Sequence, residues 1–370
     1  MSDSTDTTST DARPTRPAGT PEMPRADLGR GGPTVSRFAL GTMTFGVETD
    51  EAESRRQLDA FAEAGGTFVD TADVYGDGES ERIIGRWLRQ RGGLGDLVLA
   101  TKGRFGPPAG SHGASRRSIV RSVDASLERL ELDAIDLYFV HGWDEVTPVE
   151  ETLDALSTQV RAGKLHSIGW SNVTGWQLQK IVDTADAGGF VRPVVVQPQY
   201  NLLDRGIESE VLPCCLDNGL AVTPWSPLGG GWLTGKYDRD DRPTGDTRLG
   251  DDPDRGVEAY DGRNTERTWR IVDEATAVGD EHGRPPTHVA LAWLLTRPGV
   301  ASVLLGARTP EQLQDNLAAI DLELTDDQVD RMTSVSAPGL APYPYGMIQD
   351  FCEVDVWRRL GTDGGRPGVR

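Results

Sequence analysis

The sequence predicts an α/β chain folded as a single (β/α)8 barrel, and three observations predict it. Short apolar runs alternate with amphipathic stretches eight times between Phe38 and Ala307. The runs are near-continuous rather than alternating, as strands buried on both faces of a parallel sheet read. Three successive runs end in ionisable groups, at Asp70, Lys102 and His141. In a parallel barrel such ends share one face, the face on which these barrels carry their chemistry.

The eight expected strands are Phe38–Met43, Thr67–Thr71, Leu97–Lys102, Ile135–His141, Ser167–Asn172, Val194–Tyr200, Ala221–Ser226 and Ala301–Ala307. Helix starts are signalled by caps. Asp50 with Glu53 forms a capping-box pattern, as do Thr174 with Gln177 and Thr309 with Gln312. Thr147-Pro148-Val149-Glu150 reads as a cap, an N1 proline and an N3 acid, and a further helix starts near Ser115. A small hairpin precedes the repeat at Leu28–Val35, with glycines at its turn. Residues 1–25 read as a disordered tail, because they are rich in Ser, Thr, Asp and Pro and poor in apolar side chains. The barrel is expected over 26–336, and 337–370 as a C-terminal tail. Tyr237–Arg263, after the seventh strand, is a long Asp- and Gly-rich loop of the kind that is usually functional or disordered.

The net charge of −20 argues against nonspecific nucleic-acid binding. No apolar run is long enough to span a membrane and no secretory leader is evident, so the reading is a soluble, cytoplasmic protein. Cys214, Cys215 and Cys352 suggest neither a disulfide framework nor a metal cage. Cations are almost all arginine, with lysine only at 102, 164, 180 and 236, which makes a lysine at a strand end conspicuous.

Asp70, Tyr75, Lys102 and His141 together suggest acid catalysis at a carbonyl oxygen. A lysine held by an aspartate favours the phenolate of a neighbouring tyrosine and is expected to make that phenol more acidic. The segments around Asp70–Tyr75, Ala100-Thr101-Lys102, Leu137–His141 and Ser167–Asn172 resemble the signature segments of the aldo-keto reductases, in order from about Leu28 to Asn316. The resemblance implies Tyr75 as general acid, Lys102 and Asp70 as its tuning pair, His141 orienting the carbonyl, and no metal.

The same resemblance implies bound NADPH (NADP+), laid across the barrel mouth. Ser171, Asn172 and Gln197 would hold the nicotinamide amide and Trp225 would stack on its ring. Ser226, Leu228, Gly229 and Gly230 would approach the pyrophosphate, with Lys236 and Arg248 reaching it from the long loop. Gly306, Arg308, Gln312 and Asn316 would hold the adenosine end, Arg308 favouring NADPH over NADH. Thr42, Met43 and Asp70 complete the expected cofactor contacts, and Met43, Phe45, Trp143 and Tyr343–Met347 are candidates for the substrate pocket. Two nucleotide motifs fail. Gly230–Lys236 fits GxxxxGK, but Tyr237 stands where a magnesium-binding Ser or Thr belongs, and Gly29–Gly32 lacks dinucleotide-fingerprint spacing.

The expected function is NADPH-dependent reduction of an aldehyde or ketone. Trp225, Arg308 and the long loop resemble the bacterial general branch and the potassium-channel β-subunits more than the steroid reductases. Two alternatives follow: a cofactor-binding regulatory subunit, whose channel relatives lack a histidine at the position of His141, and a sugar or alcohol dehydrogenase working oxidatively. Expected partners are a small carbonyl substrate and neither nucleic acid nor membrane; the composition allows a monomer, and the resemblance also allows a homo-oligomer, since some members of that family assemble.

Overall fold

The structure, a computed structural model, describes residues 23–106, 112–245, 247–252, 254 and 256–362. Strands β1 (Arg25–Asp27) and β2 (Thr34–Ser36) form an antiparallel hairpin, and eight parallel strands follow. These are β3 (Phe38–Gly41), β4 (Phe68–Asp70), β5 (Val98–Gly103), β6 (Ile135–Val140), β7 (Leu165–Ser171), β8 (Val195–Gln197), β9 (Ala221–Val222) and β10 (Val303–Leu305). The first barrel helices are α1 (Glu51–Glu63), α2 (Glu79–Arg91), α3 (Arg116–Leu130), α4 (Val149–Arg161), α5 (Gly175–Gly188) and α6 (Val211–Asn218). Beyond β9 come α7 (Arg248–Asp251), α8 (Tyr260–Arg263), α9 (Glu266–His282) and α10 (Pro286–Thr296). After β10 follow α11 (Pro310–Leu317), α12 (Asp326–Val335), α13 (Met347–Phe351) and α14 (Val356–Arg359).

The sheet runs β10-β3-β4-β5-β6-β7-β8-β9. It closes on itself where Ala301 N donates to Val222 O at 3.0 Å and Leu304 N to Pro224 O at 3.0 Å. The expected barrel is therefore present, with all eight strands in the expected order. Inside it pack Phe68, Ala100, Leu137, Phe139 and Leu304, together with Leu28 and Val35 of the hairpin, all buried. The hairpin thus plugs the N-terminal end, where Arg30 N also donates to Gly219 O. Burying two such side chains contributes about 1.5–3 kcal/mol each. Met23 is buried and Arg25 opens β1, so these residues of the sequence-assigned tail belong to the fold; residues 1–22 lie outside the described residues.

Several strands are shorter than expected. The sixth and seventh runs stop at Gln197 and Val222 because Pro198 and Pro224 have no N–H to give the ladder. Ser115, Thr174 and Thr309 cap their helices, and Thr174 with Gln177 forms a full capping box. Asp50 accepts from Glu53 N, but the Glu53 carboxylate turns to Arg56, so only half of that box forms. Thr147 does not cap α4. Its hydroxyl donates to Asp144 and Pro148 takes the N-cap position, which moves the helix start to Val149. Phe45 is buried in the core and offers no surface to a substrate.

The segment after α12 returns to the barrel. Arg205 and Glu208, both buried, form a bidentate pair at 2.9 and 2.8 Å. The Arg205 and Arg297 guanidiniums donate to Leu360 O, and Thr362 Oγ1 donates to Glu208 Oε2 at 2.6 Å. Tyr345 OH donates to Glu210 and Trp357 Nε1 to Ser209 O, while Tyr343 stays exposed. Removing one partner of a buried pair strands the other's charge. Glu208→Ala is expected to cost about 3–5 kcal/mol of stability, read as a lowered midpoint in urea unfolding.

Candidate active site

The mouth of the barrel gathers the four chemistry-bearing residues onto neighbouring strand ends. Asp70 ends β4, Tyr75 lies on the loop beyond it, Lys102 is on β5, and His141 follows β6. Lys102 Nζ donates to Asp70 Oδ2 at 2.5 Å, to Thr71 O at 2.8 Å and to Tyr75 OH at 3.3 Å. Its three N–H bonds are thereby matched by three acceptors. The other carboxylate oxygen of Asp70 accepts from Gln197 Nε2 at 2.9 Å. The Tyr75 and His141 rings stand edge to face with centroids 6.0 Å apart, and both are only half-buried, opening to the mouth.

The electrostatics follow from burial. For Lys102 burial opposes the ammonium, but Asp70 and Tyr75 outweigh it and hold the pKa above its ordinary value. Burial pushes the Asp70 carboxyl up against the downward pull of Lys102 and Gln197. Tyr75 corrects the expectation of a more acidic phenol. Lys102 does pull it down, but burial outweighs that pull and its pKa lies above the usual tyrosine value, so the side chain is a protonated phenol at neutral pH. Burial, followed by Lys102 and Arg104, lowers His141 to about 3. His141 is therefore a neutral imidazole there, able to donate or accept but carrying no charge.

The residues expected to hold a nicotinamide sit on β7, β8 and the β9 end. Ser171 Oγ donates to Gln197 O at 2.7 Å, Asn172 Nδ2 to His141 O at 2.9 Å, and Trp225 Nε1 to Asn172 Oδ1 at 3.2 Å. Asn172 and Ser226 both adopt positive φ, 54° and 52°, the left-handed turn that points a strand end across the mouth. Thr42 is buried, with its hydroxyl engaged by Ser80 and Asp70 O, so it braces the site rather than facing the mouth; Met43 is exposed.

Past β9 the chain turns through Leu228 and the glycines 229–231. Gly230 and Gly231 have φ of 69° and 95°, which side-chain-bearing residues rarely adopt. The long loop then folds back over this turn, burying Leu249 and stacking Tyr260 on Trp232. Glu258, which the sequence did not single out, ties it down. Its carboxylate accepts from Ser226 Oγ at 2.6 Å and Arg248 Nε at 2.7 Å, and its carbonyl from Trp232 Nε1. Lys236 has its pKa lowered by burial and then by Arg308 and Arg248, which shows three cations converging on one region. Arg308 Nε also meets Glu48, its backbone N–H donates to Gln312 Oε1, and Asn316 Nδ2 reaches Gly306 O. A glycine turn beside converging cations at the start of α11 suits a dinucleotide's phosphates. The buried Nδ1 of His141, which has no partner, leaves a polar atom for a ligand at the carbonyl end. The residues present thus fit the expected cofactor.

A buried polar cluster underlies the site and was also missed. Asp73 N donates to Lys102 O, and Asp73 Oδ2 accepts from Ser122 Oγ at 2.7 Å. Next to it Thr101 Oγ1 and Arg129 Nε both donate to Glu81 at 2.6 Å. Single polar residues inside helical or strand patterns give no periodic signal, so only the fold reveals that they meet.

A closed barrel with a buried lysine–aspartate pair beneath a tyrosine and a neutral histidine defines a class of protein built to act on a polar bond at its mouth. The chain belongs to the aldo/keto reductase family, whose pattern matches residues 37–337. It is 39% identical over 324 residues to the uncharacterized oxidoreductase YrpG of Bacillus subtilis, covering 84% of this chain and 95% of the relative. It is 35% identical over 325 residues to a probable voltage-gated potassium channel subunit beta of Oryza sativa, covering 85% and 96%. Norsolorinic acid reductase stcV of Emericella nidulans is 35% identical over 311 residues, covering 80% and 76%. Among the described residues no helix is long and apolar enough to cross a membrane.

Burial raises the Asp73 carboxyl to about 7. Between about pH 4 and pH 7 the folded chain keeps this proton while the unfolded chain loses it, so Asp73 subtracts stability as pH rises. Asp73→Asn, which mimics the protonated acid, is expected to gain on the parent in urea midpoint across that window. A constant difference would show that Asp73 does not titrate there.

Proposed function

We propose that this chain reduces the carbonyl group of an aldehyde or ketone with NADPH, Tyr75 serving as the acid. The observation that carries this reading is the single ammonium of Lys102 bridging Asp70 and Tyr75. The cofactor these residues would hold would supply the hydride, a proton with two electrons, to the carbonyl carbon. Tyr75 OH releases its proton to the oxygen as negative charge develops there, and the alcohol results. Lys102, 3.3 Å from the phenol oxygen, stabilises the phenolate left behind, and Asp70 keeps the ammonium aimed. His141, neutral, offers an N–H to the same oxygen and so orients it. Ser171, Asn172 and Gln197 would position the nicotinamide, with Trp225 against its ring. The glycines 229–231, Lys236 and Arg248 would receive the pyrophosphate. Arg308, with Gln312 and Asn316, would receive the adenosine phosphate, which supports NADPH over NADH.

The similarity to probable channel subunits supports a second reading, a cofactor-binding regulatory protein. The presence of His141 beside Tyr75 favours the enzyme. Tyr75→Phe keeps the ring and removes the proton. It is expected to lower kcat for small aldehydes by roughly 10²–10⁴-fold with NADPH binding, read by tryptophan fluorescence, intact. Turnover near the parent's would mean that another group is the acid. Arg308→Ala is expected to weaken NADPH binding at least tenfold, about 1.4 kcal/mol, and to leave NADH nearly unaffected; an equal effect on both would remove its phosphate role. An aldehyde panel with no turnover by the parent, alongside tight NADPH binding, would shift the assignment to the regulatory reading.

A further inference from the structure

We propose that Arg104 selects carbonyl substrates that also carry a carboxylate, binding that group at the edge of the mouth beside His141. The proposal rests on the carbonyl-reductase reading above and adds the substrate's second functional group.

Arg104 leaves β5 two residues after Lys102 with φ at 135°, a backbone conformation that an arginine adopts only when its surroundings hold it there. That turn lays its guanidinium on the Phe105 ring, 4.6 Å from the centroid, and Phe105 in turn packs on the His141 ring at 4.9 Å. Gly142 makes room for this arrangement, since a Cβ there would come within 2.9 Å of the Phe105 ring. Arg104 Nη2 donates to Trp143 O at 2.7 Å, which ties the guanidinium to the β6 loop. The result is a contiguous row of guanidinium, phenyl and imidazole, the last ring tilted 52° to the phenyl, that ends on the residue proposed to orient the carbonyl. The charge is close enough to contribute to the lowered pKa of His141.

Arg104 and Lys236 are the two mouth cations with no carboxylate paired to them among the described residues, and Arg104 is the one beside His141. Lys102 has Asp70, Arg248 has Glu258 and Arg308 has Glu48. Among the described residues no carboxylate lies within 4.0 Å of the Arg104 guanidinium. Asp144 feels its charge but is engaged by Ala114 N, Val146 N and Thr147 Oγ1. Nor can the neighbouring loop supply a partner, because residues 103–113 contain no acid. Arg104 Nε is buried and has no hydrogen-bond partner. A guanidinium without an ion-pair partner at a mouth keeps its charge and its buried Nε–H available to an incoming anion.

The position says which anion. In the sheet order β5 lies across the ring from β9, whose following loop carries Lys236 and Arg248. The dinucleotide phosphates have those cations, so the anion at Arg104 belongs to the substrate. A guanidinium presents a planar fork that matches a carboxylate.

The test compares 4-formylbenzoate with its methyl ester, an aldehyde of the same shape without the charge. The parent enzyme is expected to favour the acid at least tenfold in kcat/KM. Arg104→Met should lower that ratio roughly 10–100-fold, the worth of a charge-assisted pair, and Arg104→Lys should restore part of it. A parent ratio of one or less, or a ratio unmoved by Arg104→Met, would overturn the proposal. Binding of 4-formylbenzoate to the NADP+-loaded protein, followed by tryptophan fluorescence, gives a readout independent of turnover. Equal affinity in parent and Arg104→Met overturns the carboxylate role whatever the rates. Arg104-dependent binding with neither aldehyde turned over supports the role and overturns the reductase reading instead.

Discussion

The buried ion pair between Lys102 and Asp70 is the constraint from which the rest of this structure follows. Moving an ammonium and a carboxylate out of water costs several kcal/mol per ion unless every donor and acceptor finds a partner. Those partners come from distant points of the chain: Thr71 O and Tyr75 OH from beyond β4, and Gln197 from β8. Only a closed ring of strands brings β4, β5 and β8 to one interior. The barrel therefore stabilises the pair by geometry, and the pair in turn holds the Tyr75 phenol against a cation. Burial accounts for the protonation states as well: it keeps Tyr75 a phenol and His141 an uncharged imidazole, one ready to give a proton and the other free to form a neutral hydrogen bond.

Charge is distributed unevenly over the mouth. The chain as a whole carries −20, yet Lys236, Arg248 and Arg308 converge near the glycine turn and Arg104 stands on the other side of the ring. Such local concentration can attract an anionic ligand to a protein whose overall charge repels it. Glu258 and Glu48 hold two of these cations in place, and the long loop is ordered by the same contacts, with Leu249 and Tyr260 as its apolar anchors. The acidic side chains there serve to aim cations.

Much of this was legible from the residues alone. The eight apolar runs emerge as the eight parallel strands because strands covered on both sides must be continuously apolar, and that pattern survives any detail of packing. The four residues at the mouth were legible because Asp70, Lys102 and His141 close such runs and Tyr75 stands in the loop just beyond the first of them. Strand ends were less so: Pro198 and Pro224 stop the ladder inside runs that still look strand-like. Thr147 looked like a cap until Asp144 took its hydroxyl, and Phe45 looked like a pocket residue until the core enclosed it. The C-terminal segment has no periodic pattern, and its place depends on Arg205 and Arg297 reaching Leu360 O.

The sequence by itself determined the barrel, its strand order and the residues that meet at the mouth, because these depend on periodicity and on residue type at strand ends, while the family was legible through the resemblance of its signature segments. Tertiary structure alone decided the balance of burial against charge that sets Tyr75 above its ordinary pKa. It also decided which acids restrain which cations and which cations remain without one. Those outcomes depend on distances between residues far apart in the chain and on the water excluded around them, and neither quantity is written in local order.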